Sequence, residues 1–300
     1  MKLNFSGIKV LLIGDFMIDH YILGASSRIS PEAPVPVVIP QSEYSIPGGA
    51  GNVAMNLSSL GAQVTCLGYV GDDIWGEKLV SLLKGKKINT ENIEIIDNHP
   101  TTLKKRIYSN NKQVVRIDVE EIIDWTYDLP INQNYDIIIL SDYNKGVLNN
   151  SWFDISLFKN VIVDPKKHSF SHYRGAKIIT PNLNELQKAS SIKIKDDESI
   201  ISACRQLINE YNFEYIITKK GDKGITVVGK DDFEFHIKAH SILKPDVTGA
   251  GDSIISALSL SYFQTKDIKF STIFANAAAA VVVSKTGTAN STISEALKLI

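Results

Sequence analysis

The stretch Asp136-Ile137-Ile138-Ile139-Leu140-Ser141-Asp142 decides the fold class of this chain. Its four central residues are apolar at every position, whereas a strand with one face in water alternates apolar and polar side chains. An unbroken apolar run of this length is typical of a strand that is covered on both faces in a parallel sheet. The run ends in a serine and an aspartate, so polar groups follow the strand directly.

Six further short β-rich runs occur along the chain, and several of them are also apolar at every position. They lie at 10–13, 64–70, 161–163, 178–180, 215–218 and 225–228. Segments of helical period lie between and after them, at about 52–60, 74–84, 183–189, 197–211, 250–264, 271–284 and 291–299. This alternation predicts an α/β fold with a doubly wound, mostly parallel sheet, and we treat residues 1–300 as a single domain.

Two segments, at about 16–47 and 99–120, interrupt the alternation and predict a small β-strand lid. The first holds five prolines around Val35-Pro36-Val37-Val38-Ile39. The second alternates in side-chain character, as in Lys105-Arg106-Ile107-Tyr108. Both patterns are typical of exposed or edge strands, so we expect the lid to be carried by the α/β body.

The composition is that of an ordinary soluble protein, with 44% hydrophobic and 22% charged residues and a formal net charge of -1. This near-neutral balance gives no electrostatic reason to expect nucleic acid as a ligand. Cys66 and Cys204 lie far apart in apolar runs, which favours buried free thiols over a disulfide or a metal site. No stretch approaches the ~20 apolar residues that cross a bilayer, so we expect a cytoplasmic protein without membrane contact.

Polar residues follow five of the predicted strands, and they are Asp15, Asp142, Asp164, Asn182 and Lys219. In open parallel sheets, ligands bind in the crevice beyond the carboxyl ends of the strands. A single aspartate in such a place is more often a helix cap or a turn former. Five polar strand ends at one edge favour a ligand-filled crevice, although they identify an edge and not a reaction.

The segment Gly249-Ala250-Gly251-Asp252 precedes an amphipathic helix and predicts an anion site. Small residues let the backbone approach a ligand, and the free N–H groups of the first turn attract anionic charge. A carboxylate beside a bound anion disfavours binding alone, but it makes sense if Asp252 accepts a proton from an attacking hydroxyl. The alternative is a glycine turn with Asp252 in a first helical turn, where acids are favoured anyway.

A second glycine cluster, Gly48-Gly49-Ala50-Gly51-Asn52, opens the helix predicted at 52–60. It follows the proline-rich segment and not the first core strand, and it lacks the spacing G-x-G-x-x-G, which disfavours a nicotinamide site. A backbone-lined pocket for sugar hydroxyls is the better interpretation. The pattern G-x-x-x-x-G-K-[ST] does not occur in the chain, which excludes a P-loop enzyme.

Together these segments resemble the signatures of the ribokinase-like (PfkB) sugar kinases. Residues 249–252 resemble the family signature near the carboxyl end, and residues 47–52 resemble the amino-terminal signature. The segment Pro181-Asn182-Leu183-Asn184-Glu185 resembles the N-x-x-E motif of the family. Within the family, residues 27–37 closely resemble the lid segment of the D-glycero-β-D-manno-heptose-7-phosphate kinases. The segments 141–146, 163–166, 173–176, 274–279 and 285–288 continue that match.

The resemblance implies an ATP-dependent carbohydrate kinase with a ribokinase-like fold. It implies that Asp252 is the base that activates the anomeric hydroxyl, and that the anion hole is formed by Gly249, Ala250 and Gly251. The substrate would be bound by Asp15, Asp19, Gly48, Gly49, Asn52, Arg106, Asp142 and Lys145. ATP and Mg²⁺ would be bound by Asn182, Asn184, Glu185, Lys166, Lys219, Gly221 and Asn276, with Glu185 reaching the metal on the ATP phosphates through water.

The phosphate of such a sugar needs cations, and the second lid segment offers Lys104, Lys105, Arg106 and Arg116. By β alternation Lys104 and Arg106 share one face of a strand, whereas Lys105 takes the other. We predict that Arg106 binds the phosphate, because a fork-shaped guanidinium suits it better than an ammonium does. Lys145 and Lys166 are further candidates, and we expect Lys104 to be solvated.

The nucleotide-side pattern T-x-G-x-x-G is one residue longer here, as Thr218-Lys219-Lys220-Gly221-Asp222-Lys223-Gly224. Either the loop has an insertion, or Lys219 occupies the place of the threonine. The pattern leaves both possibilities open, and Gly221 is the safer assignment. The helix around 277–283 is interpreted equally well as a lining of the adenine slot or as plain packing.

We therefore predict a kinase that phosphorylates O1 of D-glycero-β-D-manno-heptose 7-phosphate, in the pathway to the ADP-heptose precursor of the lipopolysaccharide core. The alternatives are a PfkB-type kinase for another sugar phosphate, a hexose or a nucleoside, and a non-catalytic sugar or nucleotide sensor on the same scaffold. The chain stops where the kinase part would end, which predicts no adenylyltransferase domain. The lid strands predict a homodimer, and a monovalent cation near Asp246 and Thr248 is left open.

Overall fold

The structure is a computed structural model that describes residues 3–128, 131, 134–150, 152–167, 169–243, 246–285 and 289–300. Residues 286–288, at the end of the last segment that resembles the sugar kinases, lie outside the described residues. The described ranges contain two β-sheets, one of nine strands and one of four, together with seven α-helices.

The strands and helices are named in chain order. The strands are β1 (Lys9–Gly14), β2 (Phe16–Ala25), β3 (Ile39–Gly49), β4 (Gln63–Gly71), β5 (Asn89–Ile96), β6 (Leu103–Ser109), β7 (Lys112–Val119), β8 (Ile137–Ser141), β9 (Val161–Asp164), β10 (Ile178–Ile179), β11 (Tyr215–Lys219), β12 (Ile225–Gly229) and β13 (Glu234–Ile237). The helices are α1 (Ala50–Ser59), α2 (Ile74–Lys84), α3 (Leu183–Ser190), α4 (Asp197–Tyr211), α5 (Ala250–Thr265), α6 (Ile268–Val283) and α7 (Ile293–Leu297).

The nine-stranded sheet has the order β13-β12-β11-β10-β9-β8-β1-β4-β5. The pairings from β11 to β5 are parallel, and only β12 and β13 at one edge are antiparallel to their neighbours. All seven parallel strands therefore present their carboxyl ends along one edge of the sheet.

Two separate hydrophobic cores cover the two faces of this sheet. In β8, Ile137 and Ile139 belong to the core that also contains buried residues of α1, α5 and α6. Ile138 and Leu140 belong to the other core, with buried residues of α3 and α4. Because neighbouring residues of one strand enter different cores, the sheet is covered on both faces. The predicted fold class, a doubly wound α/β sheet with a small β-strand lid, is confirmed.

The four-stranded sheet, which we call the lid sheet, has the order β3-β2-β6-β7. It comprises residues of both segments that interrupt the alternation, and β7 is exposed along its whole length. Within the first of these segments, β3 begins only at Ile39, and the proline-rich residues before it form bends with one isolated bridge from Ile29 to Pro36. Proline lacks the N–H that a regular ladder needs.

Strands β5 and β13 were not among the predicted strands. Both lie at the edges of the nine-stranded sheet, and each has exposed residues interspersed with buried or partly buried ones. A strand with few buried positions does not need an apolar run, so its sequence is polar and gives a weak signal. Among the described residues, no helix is long and apolar enough to span a membrane.

Candidate active site

The carboxyl ends of the parallel strands surround a cavity of about 190 Å³. The cavity lies where the polar strand ends of β8, β9 and β11 meet the first turns of α3 and α5. It is lined by Asp142, Tyr143, Asp164, Pro165, Lys166, Asn182, Glu185, Lys219, Gly249, Gly251 and Asp252. The predicted crevice is thus present, and it contains predicted residues from segments more than 100 positions apart in the chain.

The first turn of α5 is open toward this cavity. Gly249 precedes the helix in the left-handed region, with φ of 77°, a conformation that glycine adopts without steric cost. No side chain caps the helix there. A Cβ atom added at Gly251 would lie 3.3 Å from Nζ of Lys219, so the backbone and the ammonium face the same space. The N–H of Ala250 donates to the carbonyl of Val247 at 3.3 Å, so the N–H groups of Gly251 and Asp252, beside a cation, are the ones suited to bind an anion.

Asp252 is the third residue of α5, and its carboxylate is buried and held from two sides. Asn52 Nδ2 donates to Oδ2 at 2.6 Å, and Tyr143 Oη donates to Oδ1 at 2.6 Å. Burial raises the pKa of Asp252 to about 6, although these two hydrogen bonds oppose the rise. The carboxylate is therefore mostly ionised at neutral pH and titrates close to it, as a general base should.

Lys219 lies beside Asp252 and forms an ion pair with Asp164 at the end of β9. The same carboxylate oxygen accepts a hydrogen bond of 2.8 Å from the Thr180 hydroxyl. Burial disfavours the charged ammonium, but the charges of Asp164 and Glu185 outweigh it and raise the pKa of Lys219. Lys219 thus carries a permanent positive charge into the cavity.

Thr218 and Lys219, the two candidates for the threonine position of the nucleotide-side loop, face different surroundings. Lys219 lines the cavity, whereas Thr218 points into the core, where its hydroxyl lies 3.5 Å from Sγ of Cys204. Of the two, only Lys219 is placed to contact a ligand in the cavity, and its correspondence to the family threonine stays a prediction. Gly221 follows in a short 3₁₀ turn with φ of 63°, and it is not among the residues that line the cavity.

The N-x-x-E segment forms a capping box at the start of α3. The backbone N–H of Glu185 donates to Oδ1 of Asn182 at 2.9 Å, and the backbone N–H of Asn182 donates to Oε2 of Glu185 at 2.8 Å. The other oxygen of Glu185 is 3.1 Å from Nζ of Lys166. Asn184 is exposed on the same helix.

The oxygen ligands at this end of the cavity fit a magnesium ion that is carried by phosphates. No group of three or more metal-ligating side chains is found in the described part of the chain, so these residues form no cage for a bare ion. Mg²⁺ is usually held by one or two carboxylates, waters and the phosphates of a substrate. Asp164 and Glu185, which both line the cavity, supply that number of carboxylates.

Asp15 and Asp142 have their carboxylates engaged by the protein itself. Asp15 accepts hydrogen bonds from the backbone N–H groups of Tyr143, Lys145 and Val147 at 2.7, 3.0 and 3.1 Å. Burial, together with the charge of Asp142, raises the pKa of Asp15 to about 6. Asp142 accepts from the Tyr173 hydroxyl and from the N–H of residue 144, both at 2.6 Å. Both aspartates thus shape the loop after β8, and sugar binding by either stays a prediction.

Basic side chains of the lid sheet and of the loop after β8 form ion pairs with nearby acidic side chains. Arg106 forms an ion pair with Asp19 and lies over the ring of Tyr21, 5.3 Å from its centroid. Lys145 forms an ion pair of 2.6 Å with Glu120, just after β7. The expectation of a solvated Lys104 is wrong: the side chain is partly buried, and burial lowers its pKa while Asp19 opposes that shift.

Gly48, Gly49 and Asn52 lie at the junction between β3 and α1. A Cβ atom at Gly48 would lie 2.5 Å from Oδ2 of Asp19, so only glycine leaves room for that carboxylate. Asn276 is buried in α6 and donates to the carbonyl of Lys238 at 3.0 Å, away from the residues that line the cavity.

A family model for the pfkB family of carbohydrate kinases matches residues 8–295. The chain belongs to this family. The resemblance found in the sequence is thereby confirmed, and the protein is a sugar kinase. This agrees with a buried carboxylate beside an uncapped helix N-terminus, since phosphoryl transfer needs a hydroxyl activated next to an anion site.

Curated relatives match almost the whole chain. The "Bifunctional protein HldE" of Helicobacter acinonychis is 40% identical over 304 residues, which covers 96% of this chain and 65% of the relative. The protein of the same name from Aliarcobacter butzleri is 40% identical over 302 residues, 96% of this chain and 63% of the relative. The chain thus spans a little less than two thirds of the length of these relatives.

Solved structures share the fold at lower identity. The Arabidopsis thaliana ribokinase complexed with ribose and ATP has a TM-score of 0.79 and 18% identity, and the match covers 98% of both chains. Phosphofructokinase-2 from Escherichia coli in complex with potassium has a TM-score of 0.76 and 17% identity, and the match covers 97% of both chains. These likenesses show that the predicted ribokinase-like fold is correct.

Three residues that line the cavity, Tyr143, Asp164 and Pro165, were not among the predicted site residues. Asp164 had a signal, because it follows the apolar run of β9 in the same way that Asp142 follows β8. Tyr143 had no sequence signal of its own. Its hydroxyl contacts Asp252, which is 109 positions away in the chain, and a local sequence pattern cannot predict such a contact.

Proposed function

We propose that this sugar kinase uses ATP and Mg²⁺ to phosphorylate O1 of D-glycero-β-D-manno-heptose 7-phosphate. One observation carries the proposal: the buried Asp252 carboxylate is fixed beside the open N-terminus of α5 and beside Lys219. The choice of sugar is supported by the resemblance of residues 27–37 to the lid of the heptose-7-phosphate kinases and by the cations of the lid sheet.

The reaction forms a bond between O1 of the sugar and the γ-phosphorus of ATP, and it breaks the bond from that phosphorus to the bridging oxygen of ADP. Asp252 takes the proton of the attacking hydroxyl, and its pKa of about 6 leaves it ionised for that step at neutral pH. The N–H groups at Gly251 and Lys219 Nζ offset the charge of the transferred group. Positioning and charge neutralisation are most of what phosphoryl transfer requires.

Asn182 and Glu185 would organise the waters of a Mg²⁺ ion on the ATP phosphates. The capping box holds both residues in place, and it leaves Oε1 of Glu185 directed to Lys166. The ion supplies neutralisation of phosphate charge. A monovalent cation near Asp246 and Thr248 stays a prediction, and the N–H of Thr248 donates to the Asp246 carboxylate at 3.1 Å.

The phosphate already present on the sugar would bind to the cations near the lid sheet. Lys145 and Arg106 are both near enough to Lys104 to disfavour its charged form and help to lower its pKa. A dianion bound beside Lys104 would offset this repulsion. Arg106 offers a planar fork suited to phosphate oxygens.

A panel of acceptors in a coupled ADP-release assay tests this assignment. Heptose 7-phosphate, hexose phosphates, plain hexoses and nucleosides are compared at equal concentration. We expect Arg106→Ala to raise KM for the phosphorylated heptose by about 10- to 100-fold, the range for a lost charge-assisted bond. Arg116→Ala is the matched control, because Arg116 is paired with Arg106 across β6 and β7 but forms its own ion pair with Asp118.

A plain hexose or a nucleoside is the second candidate acceptor, because Arg106 and Lys145 each have a carboxylate partner. Equal turnover with and without the terminal phosphate would favour that candidate and remove the role of Arg106. Binding of ligands without ADP release from any acceptor would instead favour a non-catalytic sensor, which has no need of a base at position 252.

We also propose that two copies associate through their lid sheets. Strand β7 is an edge strand, and Val114, Val115 and Ile117 on it are each more than 40% exposed. Exposed apolar edge strands tend to pair with another chain. Light scattering at working concentration should give the mass of a dimer, and a monomer under those conditions would contradict this.

A further inference from the structure

The hydroxyl of Tyr143 and the side-chain amide of Asn52 divide the two oxygens of Asp252 between them. Tyr143 donates to Oδ1 and Asn52 donates to Oδ2, both at 2.6 Å. Each carboxylate oxygen has two lone-pair positions, so one position on each oxygen remains for an acceptor hydroxyl. The two bonds fix the plane of the carboxylate, since rotation about its terminal bond would break both.

The loop that carries Tyr143 is itself held in place by groups outside the cavity. The buried carboxylate of Asp15 accepts three backbone N–H groups of residues 143–147. On another side, the hydroxyl of Tyr69 donates to the carbonyl of Lys145 at 2.7 Å. Gly146 has φ of 125°, and a Cβ atom there would lie 2.3 Å from that tyrosine oxygen. The loop therefore has little freedom, and the Tyr143 hydroxyl is directed to one point.

We propose that Tyr143 is a positioning residue for phosphoryl transfer, which keeps the Asp252 carboxylate ionised and aims its free lone pairs at the acceptor hydroxyl. The proposal rests on the proposed role of Asp252 as the base. A purely structural tyrosine would not need its hydroxyl on the carboxylate of the proposed base. When Asp252 accepts the substrate proton on its free position, the Tyr143 bond stays in place and the tyrosine keeps its own proton.

The electrostatic surroundings agree with this role. The groups that act on Asp252 are Tyr143, Asn52, Asp164 and Lys219. Burial raises its pKa most, the two hydrogen bonds lower it, Asp164 raises it and Lys219 lowers it. Burial and the nearby charge of Asp252 hold the pKa of Tyr143 well above its ordinary value, so the tyrosine acts only as a donor. Loss of its hydroxyl should therefore raise the pKa of the base.

Tyr143→Phe tests the proposal, because it removes only the hydroxyl. We expect kcat to fall about 10- to 100-fold, the effect of one hydrogen bond to a charged group, with KM for both substrates within about threefold. We also expect the acidic limb of the pH profile of kcat/KM to move up by about one unit. Unchanged kcat and an unchanged acidic limb would overturn the proposal.

Tyr262→Phe is the matched control. Tyr262 lies on α5, the same helix as Asp252, and its hydroxyl donates to Glu214 at 2.7 Å, away from the cavity. This variant should keep the wild-type pH profile even if its melting temperature falls. If it moved the acidic limb as far as Tyr143→Phe does, a general loosening of α5 would explain both results and the proposal would fail.

Two further measurements keep the outcomes distinct. Asp252→Asn in the same assay tests the base. If the Asp252→Asn variant is active, the proposed function is overturned. If it is inactive while the Tyr143→Phe variant has normal kinetics, only the role of Tyr143 is overturned. If Tyr143→Phe does not fold, difluorotyrosine at position 143 replaces it. The more acidic phenol donates more strongly, so the acidic limb should move down, and no downward shift would contradict the proposal.

Discussion

Helices α1 and α5 begin with nearly the same sequence, Gly49-Ala50-Gly51-Asn52 and Gly249-Ala250-Gly251-Asp252, but they meet different surroundings. Both start after a glycine with positive φ, and neither start is capped by a side chain. Their third helical residues are hydrogen-bonded to each other, since Asn52 donates to Asp252 at 2.6 Å. The two starts are thus paired across the α1–α5 contact.

The start of α1 is closed by packing, whereas the start of α5 is open. The first helical N–H is hydrogen-bonded in both, from Ala50 to the carbonyl of Asp15 at 3.0 Å and from Ala250 to that of Val247 at 3.3 Å. The difference lies at the next residue, because a Cβ atom at Gly51 would lie 2.9 Å from Cβ of Pro47. At Gly251, Nζ of Lys219 is the one described atom within 4 Å of such a Cβ, apart from chain neighbours and the backbone of α5 itself. One pattern therefore serves helix packing in α1 and, in our proposal, an anion site in α5, and the Asn52 amide of α1 donates to the Asp252 carboxylate of α5.

The sharpest test of this division replaces the carboxylate of α5 by the amide that α1 carries at the same place. Asp252→Asn should lower kcat by about 1000-fold or more, the loss typical of a general base, while ATP binding measured by calorimetry is retained. Turnover near the wild-type value would show that the two helix starts do not differ in chemical role.

The cation at the open start is tested next. Lys219→Met should lower kcat/KM for ATP by about 100-fold, because it removes a buried charge at the anion site and leaves Asp164 without its cation. Thr218→Val is the control one residue away, because the Thr218 side chain points into the core. Similar losses in both variants would indicate a general disturbance of β11 and would contradict a specific role of Lys219.

The pH dependence separates activity from stability. Since the pKa of Asp252 is about 6, kcat/KM should fall about tenfold between pH 7 and pH 5 as the base is protonated. The stability of the folded state should change in the opposite direction and increase as the pH falls. Asp252 and Asp15 both have raised pKa values, so the folded state binds protons more readily than the unfolded state. Their contribution to stability is complete below pH 3.8 and is lost as pH rises through about 6.

Urea unfolding at both pH values measures that contribution. In the Asp15→Asn variant, the gain in stability on acidification should be smaller than in the wild type, because one of the two carboxyls is absent. An equal gain in both proteins would contradict the raised pKa of Asp15.

The smallest effects come from matched glycine substitutions. Gly51→Ala should destabilise the protein by about 1–3 kcal/mol, because its Cβ meets a proline ring that cannot move aside. Gly251→Ala should change stability by less than about 1 kcal/mol and should instead raise KM for ATP, since its Cβ narrows the open space. Urea unfolding measures the stability of both variants, and steady-state kinetics measures their KM for ATP. A larger loss of stability in Gly251→Ala than in Gly51→Ala would show that the start of α5, and not that of α1, is packed.

Much of the fold was predictable because its signals are local. The bounds of α2 and α4 agree with the predicted segments, since each begins after an aspartate whose side chain accepts N–H groups of the first turn. The apolar runs gave the central strands, because a strand buried on both faces has few polar positions. Edge strands β5 and β13 gave weak signals because they mix exposed residues with buried ones.

The candidate site was predictable as a set of residues but not as a set of contacts. Asp252 could be proposed as the base from its place in a glycine segment, yet its partners lie 200 and 109 positions away. The same limit explains Asn52, Asp15 and Asp142, which were expected to bind the sugar and which the structure engages with protein groups. The distance between two side chains depends on strand order, which the sequence pattern does not specify.

By itself, the sequence determined the alternation of buried strands and helices, the edge at which polar groups collect and the two glycine-led helix starts. These depend on periodicity and on backbone freedom, which neighbouring residues set. Only the tertiary structure decided which helix start is open, because the Pro47 ring packs against Gly51 of α1, whereas the neighbour of Gly251 in α5 is the end of the flexible Lys219 side chain. That difference follows from the packing of remote strands, and it places Asn52 of α1 in a hydrogen bond with Asp252, the residue that we propose as the base.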